Sequence, residues 1–267
     1  MRAFRVAYDG TPYHGFQRQP DVATVEGTLF RALERHGVLE GEKPTGYAAA
    51  GRTDRGVSAL AQTVAFDCPD WLTPAALNGE LPADVRAWAS ADVEDEKFHA
   101  QYDARSREYA YQLHAPDADD DRLRAALDRL AGTHDFHNLT PDSGDTERTI
   151  RVATLERDGE FAVITVRAGG FLRQLVRRLV SLVSAVGRGE REFAFLDRVL
   201  SEERLSGPEG IAPAPPEPLV LTDVAYDLDF ALDGRAAKSA RAVFEEKRVE
   251  RETRSRVAGR IAGGLDG

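Results

Sequence analysis

Polar and apolar residues repeat with two different periods along the chain, one typical of strands and one typical of helices. A period of two, which places alternate side chains on opposite faces, is clearest in residues 2–8 and 107–114. From this alternation and from apolar composition we predict seven strands, at residues 2–8, 62–66, 85–90, 107–114, 148–156, 161–167 and 219–226.

Apolar residues three or four positions apart predict helices between these strands. Thr24 can cap a helix that begins directly after it. Further helices are predicted at residues 119–131, 171–186 and 193–200. The pair Asp158-Gly159 separates two predicted strands, which is a strong signal for a hairpin and therefore for antiparallel pairing. Strand runs with only a few helices indicate an α+β protein.

The order of predicted elements suggests two related modules. Residues 1–103 and 104–228 have loosely similar orders, so we expect an N-terminal and a C-terminal α/β subdomain with a cleft between them. Residues 229–267 are rich in Arg, Glu and Ala. We predict that they form a charged, solvated helical tail, and we assign no chemistry to it.

The composition favours a soluble protein of a reducing cytoplasm. The chain of 267 residues is long enough to bury a sizeable core, and its single cysteine, Cys68, cannot form an intrachain disulfide. The first residues lack the charged-then-apolar layout of a signal peptide. The longest apolar region, residues 171–186, is interrupted by three arginines, so we predict no membrane span.

Charge is distributed unevenly along the chain. The net charge is −10, yet residues 161–189 contain five arginines and no Asp or Glu. Arg outnumbers Lys by 31 to 4. An acidic protein with few lysines fits a salt-accumulating host, where a Debye length of about 3 Å at about 1 M salt leaves only short-range arginine contacts and stacking to bind RNA. Alternatively, these arginines pair with acids elsewhere in the fold.

Residues 51–59, Gly-Arg-Thr-Asp-Arg-Gly-Val-Ser-Ala, are the candidate centre of chemistry. Asp54 lies on a glycine-bounded turn between Arg52 and Arg55. Glycines allow close approach to a ligand, and the flanking cations keep the carboxylate ionised. Such a carboxylate can act as a nucleophile or as an electrostatic anchor for an anionic substrate. Taken alone, the pattern also fits a salt-bridged Asp in an ordinary turn.

This segment closely resembles the catalytic signature of the TruA family of tRNA pseudouridine synthases. Four further segments resemble other motifs of that family in the same order, and together they span about residues 4–226. These segments are residues 8–19, 98–111, 132–136 and 171–180. The resemblance implies two RNP-like subdomains with joined antiparallel or mixed sheets, a central RNA-binding cleft and a homodimer.

The reaction implied by the resemblance is the isomerisation of uridine to pseudouridine in the anticodon stem-loop of tRNA, at one or more of positions 38, 39 and 40, without a cofactor or metal. Asp54 is the implied nucleophile, and attack at C1′ of the ribose or at C6 of the base both remain open. Arg177 is the implied ionic partner of Asp54, and Tyr109 is the implied ring that stacks on the extruded uracil, although core packing is its alternative. The arginines expected to contact RNA are Arg52, Arg55, Arg167, Arg173 and Arg178.

A few residues depart from the family pattern or suggest other chemistry. Ser58 stands where histidine is common, Gln101 where arginine is usual, and Glu217-Pro218 where a glycine is common. His134 and His137 are three residues apart, but no Cys or carboxylate pattern accompanies them to support a zinc site.

Two other functions remain open at this stage. The first is a non-catalytic tRNA-binding or chaperone module of the same architecture. The second is a glycosidase, which normally needs two carboxylates flanking the scissile bond, whereas the motif supplies one.

Overall fold

The computed structural model describes residues 1–95 and 97–265. Within these ranges the chain forms ten strands and six α-helices. The strands are β1 (Arg2–Tyr8), β2 (Ala48–Ala49), β3 (Ser58–Phe66), β4 (Val85–Asp92), β5 (Ser106–His114), β6 (Gly132–Asp135), β7 (Glu147–Asp158), β8 (Phe161–Ala168), β9 (Leu219–Ala225) and β10 (Ala231–Leu232). The helices are α1 (Val25–Arg35), α2 (Pro74–Leu77), α3 (Asp120–Leu130), α4 (Leu175–Gly187), α5 (Phe193–Val199) and α6 (Gly234–Gly263).

All ten strands belong to one mixed sheet. Its order is β10-β4-β1-β3-β9-β5-β8-β7-β6, and β2 pairs with β3 beside this path. Neighbouring strands are antiparallel except β3 and β9, which run parallel where Ser58 and Ala59 face Val220 and Leu221. On its other side β9 pairs with β5. Strand β9 therefore joins the N-terminal strands to the C-terminal strands, and the predicted α+β class is confirmed.

Two large hydrophobic clusters and one small cluster lie along this sheet in the described residues. The two large ones make up most of the core. In one cluster Leu29 of α1 is buried with Phe4 of β1, and in the other Leu179 of α4 is buried with Ile164 of β8. Tyr109 of β5 packs against both clusters. The strand that carries this tyrosine thus lies at the boundary between the two cores.

Most predicted elements are confirmed, with errors at the ends. Thr24 caps α1, and its hydroxyl accepts a hydrogen bond from the Gly27 N–H at 3.3 Å. Strands β7 and β8 form the predicted hairpin, with Gly159 at a φ of 59°. The helix predicted from residue 171 is wrong at its start, because Gln174 has a φ of 60° and α4 begins one residue later. The short elements β2, α2, β6 and β10 were not predicted.

Helix α6 follows the last two-residue strand and packs against β4. Ala236 and Ala240 are buried in this contact. Farther along, Lys247 and Arg251 form ion pairs with Asp9 at the end of β1. Residues 253–265 are all exposed. The last three turns of α6 therefore project about 16 Å from the body, at about 1.5 Å per residue.

None of the helices in residues 1–95 and 97–265 combines the length and the apolar character needed to cross a membrane.

Candidate active site

Asp54 lies in the loop between β2 and β3. The loop closes with a turn in which the Val57 N–H donates to the Asp54 carbonyl at 3.2 Å, and Gly56 supplies the required positive φ of 84°. The preceding Thr53 is buried, and its hydroxyl is 2.8 Å from the Tyr8 hydroxyl of β1. The carboxylate is thus placed at the junction of β1 and β3 by a loop that is fixed on both sides.

The segment after β1, residues 10–16, packs against the Asp54 loop through close backbone contacts. A Cβ on Gly10 would lie 2.0 Å from the Val57 carbonyl oxygen, so only glycine fits there. Gly15 has a φ of 93° and approaches the Thr53 carbonyl, which accepts the Phe16 N–H at 3.1 Å. Two segments that are more than 30 residues apart in the sequence therefore form one rigid unit.

Arg177 of α4 reaches Asp54 across the cleft. Its Nη1 donates to Oδ2 of Asp54 at 3.0 Å. The same guanidinium donates from Nε to the Ala214 carbonyl at 2.7 Å, and the Ala214 N–H donates back to the Arg177 carbonyl at 3.1 Å. The Arg177 side chain is 13% exposed and that of Asp54 is 32% exposed. The arginine is therefore held in place, and the carboxylate keeps one side open to the cleft.

Tyr109 lies on the floor of the same cleft. Its ring meets Phe171 edge-on, with centroids 5.3 Å apart and an interplanar angle of 85°. The pairing of β5 with β9 shifts register between Glu108 and Tyr109, and such irregularities redirect side chains. Burial raises the pKa of Tyr109 to about 12; Arg107 opposes this rise and Asp54 adds to it. The phenol therefore keeps its proton at neutral pH.

The cleft has a volume of about 1140 Å³ and contains Asp54, Tyr109 and Arg177 in its lining. Its lining has seven Lys or Arg side chains and three carboxylates, a surplus of four positive charges in a chain of net charge −10. The cationic members are Lys43, Arg52, Arg55, Arg107, Arg148, Arg173 and Arg177, and the carboxylates are Glu26, Asp54 and Asp142. Such a local reversal of charge favours a polyanionic ligand.

Three of the five arginines expected to contact RNA line this cleft. Arg52 and Arg55 are exposed, and among residues 1–95 and 97–265 neither has an ion-pair partner. Arg173 also lines the cleft, where its Nε lies 3.3 Å from Oδ1 of Asp142.

The other two, Arg167 and Arg178, are not part of the lining. Arg167 of β8 donates to Glu108 of the neighbouring strand, with 3.0 Å from Nε to Oε2. Arg178 donates from Nη2 to Gln174 at 3.0 Å and also binds the Ile211 carbonyl. Burial, together with the cations Arg177 and Arg173, lowers the pKa of Arg178. Both guanidiniums are engaged within the fold.

Arg107 is a cleft residue whose role was not predicted. Its guanidinium donates to the carbonyls of Ala50 at 2.7 Å, Gly169 at 2.5 Å and Gln101 at 2.5 Å. These carbonyls belong to the loop before Asp54, the loop after β8 and the loop after β4. The arginine thus ties three cleft walls together. The sequence did not predict these contacts, because Arg107 is simply the first residue of a predicted strand and the carbonyls of Ala50 and Gly169 are distant from it in the sequence.

The three departures from the family pattern lie in segments that contact the site, and at Ser58 the departing side chain itself makes the contact. The Ser58 hydroxyl accepts a hydrogen bond from the Gly10 N–H at 3.0 Å. This bond connects the end of the Asp54 loop to the segment that follows β1. The Gln101 carbonyl is one of the three that bind Arg107. The loop before β9 contacts the Asp54 loop, since a Cβ on Gly56 would lie 3.0 Å from Cγ of Pro216.

The two histidines considered as metal ligands make other contacts. The Nε2 atom of His134 lies 3.0 Å from the Ala131 carbonyl, and Nδ1 of His137 lies 3.1 Å from Asp135. Within the described ranges, no group of three or more His, Cys, Asp or Glu side chains is placed to hold a metal ion.

Comparison with known proteins identifies the family. A profile described as tRNA pseudouridine synthase matches residues 126–227. The chain is 60% identical to tRNA pseudouridine synthase A of Natronomonas pharaonis, over 98% of this chain and 99% of that protein. This chain belongs to the tRNA pseudouridine synthase family. It is also 60% identical to the Haloarcula marismortui member, over 99% of this chain and 100% of that protein, and 42% identical to the Methanosarcina acetivorans member, over 84% of each.

Membership of the tRNA pseudouridine synthases makes the chain an isomerase, and the relatives from Natronomonas and Haloarcula place it with proteins of halophilic archaea. Among solved structures, a chain of the archaeal box H/ACA sRNP Nop10-Cbf5 complex matches 70% of this chain and 44% of its own length, at 16% identity and a TM-score of 0.38.

Proposed function

We propose that this protein isomerises uridine to pseudouridine in the anticodon stem-loop of tRNA, at one or more of positions 38, 39 and 40, with Asp54 as the nucleophile. The observation that carries the proposal is the Asp54–Arg177 pair, 3.0 Å apart, in a cleft whose lining is net positive within an acidic protein. Family membership supports the reaction class.

The reaction breaks the bond between C1′ of the ribose and N1 of uracil, turns the base, and joins C5 to C1′. The proton lost from C5 is balanced by one gained at N1, so no oxidant, reductant or energy source is consumed. Asp54 supplies the electron pair for the first step, by attack at C1′ or at C6. Arg177 donates to this carboxylate at 3.0 Å and thereby fixes its position next to the RNA.

Tyr109 takes over the stacking of the uracil when the base leaves the RNA helix. Extrusion costs a few kcal/mol, and stacking on an aromatic ring offsets about 1–3 kcal/mol of it. The edge-on contact with Phe171 holds the ring. The phenol is protonated at neutral pH, as an ordinary tyrosine is, so its hydroxyl is available as a hydrogen-bond donor. Tyr109 therefore serves as a platform and donor in its protonated form.

Arg52 and Arg55 bind the phosphates on either side of the extruded nucleotide. Both flank Asp54 in the sequence and both guanidiniums are exposed at the cleft. Bidentate arginine–phosphate contacts act at short range and so persist in the high salt that halophiles accumulate, where long-range attraction is screened.

The organisation of the chain follows the same proposal. We place the N-terminal subdomain in residues 1–103, the C-terminal subdomain in residues 104–228 and the helical tail in residues 229–267. The cleft lining draws on both of the first two segments, which supports this division. A homodimer in the cytoplasm is the proposed working form, as the family resemblance implies; the molar mass in solution tests the dimer.

The decisive experiment compares Asp54→Asn with Asp142→Asn, a matched change of another cleft carboxylate. The assay is tritium release from tRNA labelled at uracil C5, followed by site-resolved mapping of pseudouridine. Loss of the nucleophile should lower turnover by about 10⁴-fold or more, as for catalytic nucleophiles in general, while tRNA affinity stays within about threefold. The Asp142→Asn chain should keep turnover within about tenfold.

Two results would contradict the proposal. If Asp54→Asn releases tritium at the wild-type rate, Asp54 is not the nucleophile. If the wild-type chain binds tRNA but releases no tritium, the protein is a binding module of this architecture. Mapping that finds the modified uridine outside the anticodon arm would refute the substrate position alone.

A further inference from the structure

Tyr102 is the most exposed of the aromatic residues in the described ranges: the residue is 76% exposed, compared with 52% for Trp71 and 43% for Phe161. Its ring stacks on that of His99, with centroids 4.3 Å apart and an interplanar angle of 28°. Both residues line the cleft that contains Asp54. One face of a stacked aromatic pair is thus covered by the protein and the other is open to the cleft.

The turn that carries this pair is held by its own hydrogen bonds. The N–H groups of Tyr102 and Asp103 both donate to the His99 carbonyl at 3.0 Å. The Asp103 carboxylate accepts the His99 N–H at 2.7 Å, and the Gln101 N–H donates to Nδ1 of the His99 ring at 3.2 Å. The last of these bonds fixes the orientation of the imidazole, and with it the plane on which Tyr102 stacks.

The turn is also fastened to the rest of the fold. Ala100 is fully buried, and its carbonyl accepts the Tyr226 hydroxyl at 2.5 Å. The Gln101 carbonyl binds Arg107, which also binds Ala50, four residues before Asp54. The stacked pair therefore has a defined position relative to the Asp54 loop.

The face of the Tyr102 ring that points away from His99 is not packed against the described part of the chain. Its hydroxyl makes no hydrogen bond there. The ring is also absent from the hydrophobic clusters of the described residues, whereas Ala100 and Phe98 of the same segment belong to or pack against a small third cluster around Ala3 and Ala65. A flat apolar face held rigidly in a cationic cleft matches a nucleobase, which presents a π-face of similar size.

We propose that His99 and Tyr102 form a stacking platform for a second nucleobase, one that neighbours the target uridine. This inference rests on the proposed function. When the target leaves the RNA stack for Tyr109, the adjacent base loses a stacking partner, and Tyr102 replaces it. The protein thereby stabilises the extruded state at two bases, with Tyr109 under the target and Tyr102 under its neighbour.

The test compares Tyr102→Ala, Tyr102→Leu and Tyr102→Phe, each in the Asp54→Asn background so that turnover does not affect the measurement. The ligand is an anticodon stem-loop RNA. Removal of the ring by Ala or Leu should raise Kd roughly 5- to 140-fold, which corresponds to about 1–3 kcal/mol per stacked base. Tyr102→Phe keeps the ring and should remain within about twofold. Trp71→Ala, a loss of an exposed aromatic residue outside the cleft lining, is the matched control and should not change Kd.

A second measurement locates the contact. With 2-aminopurine next to the target uridine, binding by the chain that has Tyr102 or Phe should quench the fluorescence by stacking, and binding by the Ala or Leu chain should not. With the native Asp54 restored, kcat at saturating RNA should stay within about twofold while KM rises.

Three outcomes would overturn the inference. The first is an unchanged Kd for Tyr102→Ala, and the second is a Tyr102→Leu chain that binds as tightly as Tyr102→Phe. The third is conversion of a dimer into a monomer by Tyr102→Ala, which would make the ring a contact between copies. These outcomes are separate from failure of the proposed function, which is decided by tritium release from the chain with an intact Tyr102.

Discussion

The ion cluster between the C-terminal helix and the end of β1 allows a quantitative prediction. Asp9 is 4% exposed, and its carboxylate accepts the Thr11 N–H at 3.2 Å and the Thr11 hydroxyl at 2.7 Å. Lys247 lies 3.1 Å and Arg251 2.5 Å from the same Oδ2 atom. We predict that the double substitution Lys247→Met, Arg251→Met destabilises the fold, because it leaves the buried Asp9 carboxylate with Thr11 as its remaining partner and also removes Lys247 from Asp84, 2.5 Å away.

The size of the effect follows from burial. Loss of the partner of a fully buried charge costs about 3–5 kcal/mol. The Arg251 side chain is 58% exposed and that of Lys247 is 25% exposed, so solvent screening reduces this to about 2 kcal/mol. For a chain of this length, about 2 kcal/mol lowers Tm by about 4–8 °C. Differential scanning calorimetry in matched salt measures it.

The pH dependence provides an independent check. Burial opposes ionisation of Asp9, but the hydrogen bonds from Thr11 and the cations Lys247 and Arg251 outweigh it and lower the pKa of this carboxyl. A lowered pKa in the folded state contributes stability above the unfolded value of about 3.9, and this contribution is lost as pH falls through the folded value. The Tm difference between the wild-type and double-substituted chains should therefore be largest near neutral pH and shrink below about pH 4.

The controls separate the cluster from general changes in helix charge. Arg254→Met removes an exposed arginine whose described partner is Glu250, four residues away on the same helix, and should change stability by no more than about 0.5 kcal/mol. Adding Asp9→Asn to the double-substituted chain should restore part of the lost stability, because the uncompensated charge is gone. Equal Tm values for the wild-type and double-substituted chains at pH 7, or a difference that does not vary with pH, would refute this reasoning.

Three further predictions concern the loop that carries the carboxylate. Gly10→Ala should lower kcat at least 10-fold, because the added Cβ would lie 2.0 Å from the Val57 carbonyl oxygen and displace the Asp54 loop. Circular dichroism should show that this variant is still folded. Arg177→Lys should lower kcat about 10²-fold or more in single-turnover assays, since one ammonium on a flexible stem cannot reproduce the guanidinium contacts to Asp54 and Ala214. Ser58→Ala should cost about 1 kcal/mol of unfolding free energy in urea titrations, because the Gly10 N–H loses its acceptor, whereas Ser58→Thr should cost less.

Much of the secondary structure could be predicted because its signals are local. Thr24 and the Asp158-Gly159 turn act through neighbouring residues, and both gave the right element. The start of α4 was wrong because a single residue, Gln174, adopts a left-handed conformation that propensity does not anticipate. Tertiary contacts determine where this helix begins. Residues 171–174 line the cleft in a non-helical conformation, and α4 starts after them.

The site was only partly predictable for the same reason. Asp54 and its flanking arginines are adjacent in the sequence, so the motif contained them. Arg177 followed from a family resemblance and not from any local pattern. The clamp made by Arg107 joins three loops through their carbonyls, and backbone acceptors have no sequence signature. Arg167 and Arg178 looked equivalent to the cleft arginines because one-dimensional charge counts do not show which guanidiniums are engaged within the fold.

The parallel pairing of β3 with β9 has a consequence for the order in which the protein matures. Strand β3 follows the Asp54 loop directly, and at Ser58 and Ala59 one of its edges is completed by residues of β9 that are synthesised some 160 positions later. Contacts of such long sequence separation form late and slowly. On the ribosome, the nascent N-terminal part therefore carries an incomplete strand edge until β9 has been synthesised. Until then this edge exposes unpaired backbone N–H and C=O groups, which make a growing chain prone to aggregation.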